Sequence, residues 1–276
     1  MNDAKEMSVP MDPSTQCSTA MGPMTSEEEN EMKSRPYSEL FGCLQFLVNV
    51  TRLDIAFGVN LLSRFKSNPG EQHWIAAKRI LRYLKKTADL GIIYRPLSNK
   101  IDFNSLIAYS DADWAGDQDD QKSTSGYVML YGNGPVTWAS RKQGANALST
   151  LESEYIAAAN AIQEVKWLRR LLASINLNEE SSVILRCDNQ GMIKYSTNVE
   201  QHRRTKHIDN KYHFVKDEIE GGRVTMEYVP TDEQLADPLT KALPKGTFIK
   251  FRDMLGLGPS LSSGSVVYND RLEPYI

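Results

Sequence analysis

From Tyr37 onward, apolar residues recur at helical spacing. Leu40, Leu44, Leu47 and Val48 share one face, and Ile55, Val59, Leu62 and Phe65 continue the pattern beyond Thr51. Asn68-Pro69-Gly70 interrupts it. A third helix follows, with Trp74, Ala77, Ile80, Leu81 and Leu84 apolar and Lys78, Arg79, Arg82, Lys85 and Lys86 around them. A short strand-like piece, Gly91 to Tyr94, closes this small helical segment, which is assigned to residues 36–95. Residues 1–35 carry Met, Ser, Pro, Thr and the run Glu27-Glu28-Glu29 with little periodicity, a composition expected of a disordered linker.

After Pro96 the pattern changes from helix to strand. Leu106–Ser110 is predicted as a buried strand ending at Asp111. Gly126–Tyr131 and Val136–Ser140 form a hairpin around Gly132-Asn133-Gly134-Pro135. A long helix, about Ser149–Ile175, precedes the strand Val183–Cys187, which leads into Asp188. A short helix, a basic helix over about Lys206–Glu220, a strand Val224–Val229 and a helix from Thr231 to Leu243 complete the set. An antiparallel meander followed by parallel additions predicts an α/β fold. Its mixed five-stranded sheet, with flanking helices, occupies residues 104–243. Residues 258–276 form a tail of no recognisable pattern.

Composition narrows the functional classes. Hydrophobic residues are 41% and charged residues 24% of the 276, enough for a sizeable core. The net charge of −3 excludes polyanion binding by bulk charge, so any nucleic-acid surface must be a local patch. Three cysteines with no metal or disulfide spacing, and the lack of an apolar leader or membrane-length run, predict an intracellular protein, cytoplasmic or nuclear, with no membrane partner.

The candidate chemistry lies in carboxylates at element ends. Asp111 and Asp188 each follow a strand, where ligands collect in such sheets; each could equally serve as a turn or cap residue. On the long helix, Tyr155, Ala158, Ile162 and Val165 fall within about 40° of Leu151, and Glu154 lies about 60° off, at the edge of this apolar stripe. Glu152 falls on the solvated flank. A carboxylate bordering a buried face is costly unless it is paired, metal-bound or able to reach solvent. Asp237 precedes Pro238, so it is either a cap for a helix starting there or a fourth acid of the same cluster. Converging carboxylates suit hard divalent ions, Mg²⁺ or Mn²⁺, and two such ions can serve in-line phosphodiester displacement. No Cys/His set has zinc spacing.

As an ordered set, several motifs resemble the ribonuclease H domain of copia-type LTR retrotransposon Pol polyproteins. They are Tyr109-Ser-Asp-Ala-Asp-Trp-Ala-Gly116, Lys122-Ser-Thr-Ser-Gly-Tyr127, Ser149-Thr-Leu-Glu-Ser-Glu-Tyr155, Cys187-Asp-Asn-Gln190, Thr205-Lys-His-Ile-Asp209 and Gln234-Leu-Ala-Asp-Pro-Leu-Thr-Lys241. Arg52-Leu-Asp-Ile-Ala-Phe-Gly-Val-Asn60, His73-Trp74 and Arg79-Ile-Leu-Arg-Tyr-Leu-Lys85 resemble the thumb-like end of the same element's reverse transcriptase. The resemblance implies a ribonuclease H-like fold that holds two Mg²⁺ or Mn²⁺ ions on Asp111, Glu154, Asp188 and Asp237. It implies hydrolysis of the RNA strand of RNA–DNA hybrids, and other Pol segments as partners. Asp113 is a neighbouring candidate. The loop Val229-Pro-Thr-Asp-Glu233 lacks the histidine usual in cellular ribonucleases H. The chain has no Tyr-x-Asp-Asp motif, so no polymerase activity is expected of it.

Nucleic-acid contact is expected from Arg203, Arg204, Lys206, His207 and Lys211, a basic stretch between the third and fourth acids. The hydroxyls of Ser123, Thr124 and Ser125 are expected to reach phosphate or the RNA 2′-OH. Trp114 and Trp138 are read as core residues. The competing reading is a catalytically silent transposon remnant that folds and binds nucleic acid without turnover.

Overall fold

The computed structural model describes residues 3–94, 105–177, 182–197 and 209–259. Helices α1 (Ser26–Lys33), α2 (Tyr37–Val50), α3 (Ala56–Ser63) and α4 (Glu71–Lys86) come first, followed by the short strand β1 (Leu90–Ile92). Then come β2 (Leu106–Asp113), β3 (Thr124–Tyr131), β4 (Gly134–Lys142), α5 (Thr150–Ser174) and β5 (Val183–Cys187). Helices α6 (Gln190–Thr197) and α7 (Asp209–Glu220), strand β6 (Val224–Tyr228), helix α8 (Lys245–Met254) and strand β7 (Leu257–Pro259) complete the order.

The main sheet has the order β4-β3-β2-β5-β6. Its β2–β3 and β3–β4 ladders are antiparallel, while β5 joins β2, and β6 joins β5, in parallel. This is the mixed sheet expected from the sequence. Gly132 and Asn133, at φ 58° and 63°, turn the β3–β4 hairpin, a left-handed pair that only Gly and Asn adopt at low cost.

Period-2 alternation sends the side chains of each central strand to two separate cores. Leu106, Ala108, Tyr127 and Met129 pack with Tyr155, Ile162 and Val165 of α5 and Val215 of α7. Tyr109 and Val128 face the other way, toward Leu53, Ile55, Leu62, Ile80 and Tyr83 of the helical segment. The helices of residues 36–95 therefore cover one face of the sheet and share its core; they are not a separate unit. Each large apolar side chain sealed there contributes about 1.5–3 kcal/mol.

Two expectations from the sequence are corrected. Residues 3–35 are not a disordered linker. Thr25 and Glu28 form a capping box at the start of α1, and the Glu27–Glu29 run lies in the first turn, where the helix dipole favours acids. Val9, Met11 and Cys17 are buried in the core of the helical segment. The expected helix from Thr231 to Leu243 is instead two short 3₁₀ turns, Thr231–Glu233 and Asp237–Leu239. Pro238 lacks an N–H and restricts the residue before it, which prevents a continuous α-helix.

The chain then forms α8 and β7, and β7 pairs antiparallel with β1, Ile92 opposite Leu257. Gly258 and Pro259, assigned to a tail, thus belong to a strand; the rest of that tail lies outside the described residues. No described helix is long and apolar enough to cross a membrane.

Candidate active site

The two central parallel strands run together at Ile107–Tyr109 against Ile184–Arg186 and then part. Strand β2 continues to Asp113, paired only with β3, so Asp111 lies within the strand opposite Gly126 and not at its end. Strand β5 stops at Cys187, and Asp188 follows. Across this opening lies the start of α5. Ser149 caps it by accepting from the Glu152 N–H, and the Glu152 carboxylate accepts from the Leu148 N–H at 2.8 Å. Glu152 is thereby used at the helix start, and Glu154, only 6% exposed, is the one turned inward.

Single carboxylate oxygens of Asp111, Glu154 and Asp188 lie within 4.8 Å of one another. Asp188 Oδ2 accepts from the Thr231 hydroxyl at 2.8 Å. Asp111 accepts from the Thr240 hydroxyl. Glu154 accepts a backbone hydrogen bond from Ala112. Among the described residues, Glu154 Oε2 is buried with no hydrogen-bond partner.

Asp237, 3% exposed, stands beside this trio and is not one of the three mutually close acids. It heads its 3₁₀ turn without capping it, and its Oδ1 lies 2.9 Å from Lys241 Nζ. The same ammonium is 3.9 Å from Asp111 Oδ2. Gln234 ties the turn to β2, donating from Nε2 to the Ser110 carbonyl at 3.0 Å. Gln234, Thr240 and Lys241 fall within the motif around Asp237, but nothing in the sequence by itself gives them a role. Their signal was polar residues at fixed offsets around Asp237.

Burial dominates the electrostatics. It raises Glu154 to about 9, with the charges of Asp111 and Asp188 adding to the effect. It raises Asp237 to about 7, with Asp111 adding and Lys241 opposing. Asp111 is raised by burial against the pull of Lys241 and Thr240, and Asp113 is raised for the same first reason. Burial acts against the Lys241 ammonium, but Asp111 and Asp237 more than reverse it. Acids held this way are a strained set unless positive charge arrives.

The expected nucleic-acid contacts fare differently. Ser123, Thr124 and Ser125 are buried, so the expectation that they face substrate is corrected. Ser123 accepts from the Ala115 N–H, Thr124 from Arg64, and Ser125 from Gln143 Nε2 at 2.8 Å. Their hydroxyls tie β3 to the β2–β3 loop, to the end of α3 and to the residue after β4, because polar groups inside must find internal partners. Lys211 is half-buried and lines a cleft of about 220 Å³ with Arg141, Asn160 and Gln163. Arg203, Arg204, Lys206 and His207 lie outside the described residues. Trp138 packs against the core, donating to the Val48 carbonyl at 2.8 Å. Trp114 is 46% exposed and is not a core residue.

A mixed sheet in this order, with buried acids where its parallel centre opens, is of the ribonuclease H-like class. The ribonuclease H1 of Halobacterium salinarum NRC-1 aligns over 49% of this chain and 94% of its own at 19% identity, TM-score 0.38; so distant a likeness adds nothing to the strand order. No family model matches the chain. The Pol polyprotein of transposon TNT 1-94 from Nicotiana tabacum is 39% identical over 257 residues, 93% of this chain. That of transposon RE1 from Arabidopsis thaliana is 38% identical over 257 residues, also 93%. The chain belongs to the Pol polyproteins of copia-type retrotransposons. It spans 19% and 17% of the length of these two relatives.

Proposed function

We propose that this chain is a divalent-metal-dependent nuclease that hydrolyses the RNA strand of RNA–DNA hybrids as part of a retrotransposon Pol product. The observation that carries this reading is the unpartnered, buried Glu154 Oε2 beside Asp111 and Asp188, all three offering oxygens within 4.8 Å. An unpaired buried carboxylate costs several kcal/mol, and a divalent cation removes that cost.

The donor set fits Mg²⁺ or Mn²⁺, since it is all carboxylate. Cys187, the nearby thiol, is pushed by burial up to about 12 and its Sγ points to the Asn189 carbonyl, so it is a poor soft ligand. Bound there, such ions supply Lewis-acid stabilisation of the charge that develops at a phosphodiester in displacement. The chain's own groups do the rest. Thr231 fixes Asp188, Ala112 fixes one oxygen of Glu154, and Thr240 fixes Asp111. Glu154 must release its proton before it can act as a ligand.

Substrate grip is assigned to Lys211 and the basic stretch Arg203, Arg204, Lys206 and His207, because a run of cations in the sequence is what a polyphosphate strand would pair with. Other Pol segments are proposed as partners, on the ground that the chain covers under a fifth of its relatives. The test is incubation of the purified chain with labelled RNA–DNA hybrid, duplex RNA and duplex DNA, in Mg²⁺, Mn²⁺ or EDTA. Hybrid-only, metal-dependent cleavage that Asp111→Asn abolishes without loss of the circular dichroism spectrum is expected. Failure of the wild-type chain to cut hybrid under any metal would support the silent remnant instead.

A further inference from the structure

Trp114, read from the sequence as a core residue, directly follows β2 and is 46% exposed. Its position is held from several sides. The indole Nε1 donates to the Ala147 carbonyl at 3.0 Å, which ties the loop leaving the strand of Asp111 to the approach to α5. Asn146 repeats the tie, donating from Nδ2 to the Asp120 carbonyl at 3.1 Å. Within the same loop, Asp117 is anchored by Arg64 and Lys142, each at 2.7 Å. The ring is therefore presented on a braced loop, so little freedom remains to be lost when a ligand covers it.

Leu148, the neighbour of Ala147, is 77% exposed. An apolar residue before an N-cap commonly packs on the fourth residue of its helix. With Ser149 as the cap, that residue is Ser153, which offers no apolar partner. A single exposed apolar side chain is ordinary. Here two flank one backbone contact, on a bridge between the elements that carry Asp111 and Glu154, and together they form an uncharged ledge.

Reach decides what such a ledge can meet. Trp114 is three residues beyond Asp111, at most about 10 Å along the chain. A nucleic-acid strand advances about 3.4 Å per nucleotide, so the ledge falls within a few nucleotides of a phosphate held at the acids. It has no charge for the phosphates and suits the sugars between them. An A-form hybrid displays those sugars on a wide, shallow minor groove, where a flat ring on a loop can lie. The minor groove of B-DNA, about 6 Å wide, is too narrow for ring and loop together.

We propose that Trp114, supported by Leu148, is a specificity-determining residue that lies against the sugars of the hybrid's minor groove next to the cut. This rests on the hybrid-directed reading above and adds to it a residue that separates hybrid from duplex DNA by groove shape.

The test compares the full chain with W114F, W114A and L148A on a labelled RNA–DNA hybrid and the matching DNA duplex. W114A should raise KM for hybrid about tenfold, leaving kcat, Mn²⁺ affinity and the weaker binding of duplex DNA near wild type. L148A should raise the same KM by about threefold. W114F keeps a ring and loses only the N–H, so its KM should stay within about twofold of wild type. Hybrid added in EDTA should quench a part of the tryptophan emission that W114F lacks, and duplex DNA should not. That optical signal and L148A still report if W114A fails to fold. Wild-type KM and no Trp114 quenching would overturn the inference and leave the nuclease reading intact. So would a W114F as impaired as W114A, which would make the bond to Ala147 the whole role of the residue. Trp114 quenching by hybrid that wild type never cuts would keep the inference and remove the nuclease reading. Wild type that neither binds nor cuts hybrid would remove both.

Discussion

Gly126 stands directly across the β2–β3 ladder from Asp111, and its bare backbone is what lets the Asp237 turn seat against the sheet. A Cβ at Gly126 would lie 2.7 Å from Thr240 Cγ2, 2.9 Å from Leu239 Cβ and 3.1 Å from the Ala236 carbonyl. Two of these three atoms are on the turn's own short side chains and one is backbone, so little can yield. The glycine and the aspartate thus form one device: β2 presents Asp111, and its neighbour β3 leaves at Gly126 the gap in which Thr240 seats to reach it.

Gly126→Ala is accordingly expected to cost about 1–3 kcal/mol by overpacking. It should also weaken Mn²⁺ binding, because the turn must lift and carry Thr240 and Asp237 with it. Urea unfolding and Mn²⁺ titration of the same preparation check both halves. A wild-type midpoint together with wild-type Mn²⁺ affinity would show that the close approach has no bearing on the site.

The helical segment is pinned by a buried ion pair. Arg52 donates from Nε and Nη2 to the two oxygens of Asp54 at 3.0 and 2.8 Å, and the Tyr83 hydroxyl donates to Asp54 Oδ2 at 2.5 Å. Asp54→Ala leaves the Arg52 guanidinium buried and half-satisfied, at an expected cost of about 3–5 kcal/mol. Replacing both members by apolar residues, as in R52M/D54L, should recover a good part of that loss. A double variant no more stable than D54A, by chemical denaturation, would mean that the arginine's bond to the Thr87 carbonyl matters more than the pair.

Met11 makes the case for the N-terminal segment. Its Cγ and Sδ lie against the position a Cβ would take at Gly58, at 2.7 and 3.2 Å, with Ile80 Cδ1 at 3.3 Å from the same point. Met11→Ala should destabilise the whole chain by about 2–5 kcal/mol, the usual cost of emptying a core site. Loss confined to local protease sensitivity near residue 11, with the global urea midpoint unmoved, would argue that the segment folds onto the helices without supporting them.

Strong periodicity made the strands, α5 and the helical segment legible, because burial of one face leaves a regular apolar spacing in the sequence. Glu154 was separable from Glu152 on the same ground. What escaped is what long-range contact decides. Met11 and Val9 sit among prolines and serines, and only docking on α3 and α4 orders them. Ser123, Thr124 and Ser125 look like surface hydroxyls until Arg64 and Gln143 are seen to take them. The Asp237 turn reads as a helix by its apolar spacing, yet the proline and the partners Asp111 and Ser110, more than a hundred residues away, set its shape.

The acidity of Glu154 gives the most direct check on the centre. Burial first, then Asp111 and Asp188, raise its carboxyl to about 9 in the metal-free protein, whereas an unfolded glutamate loses its proton near ~4.3. Between those values the folded chain holds a proton that the unfolded chain has released, so stability falls as pH rises through this window. Asp237, raised to about 7, acts in the same direction over the lower part of the window. The metal-free melting temperature should therefore be highest near the acidic end, about pH 5, and decline toward about pH 9. Glu154→Gln cannot lose that proton, so its decline above about pH 7 should flatten. Saturating Mg²⁺ should restore the alkaline melting temperature of wild type and release protons on binding, since the ligands must be ionised. Parallel pH–melting curves for wild type and E154Q, each unmoved by Mg²⁺, would mean that this carboxylate neither carries the buried proton nor meets the ion.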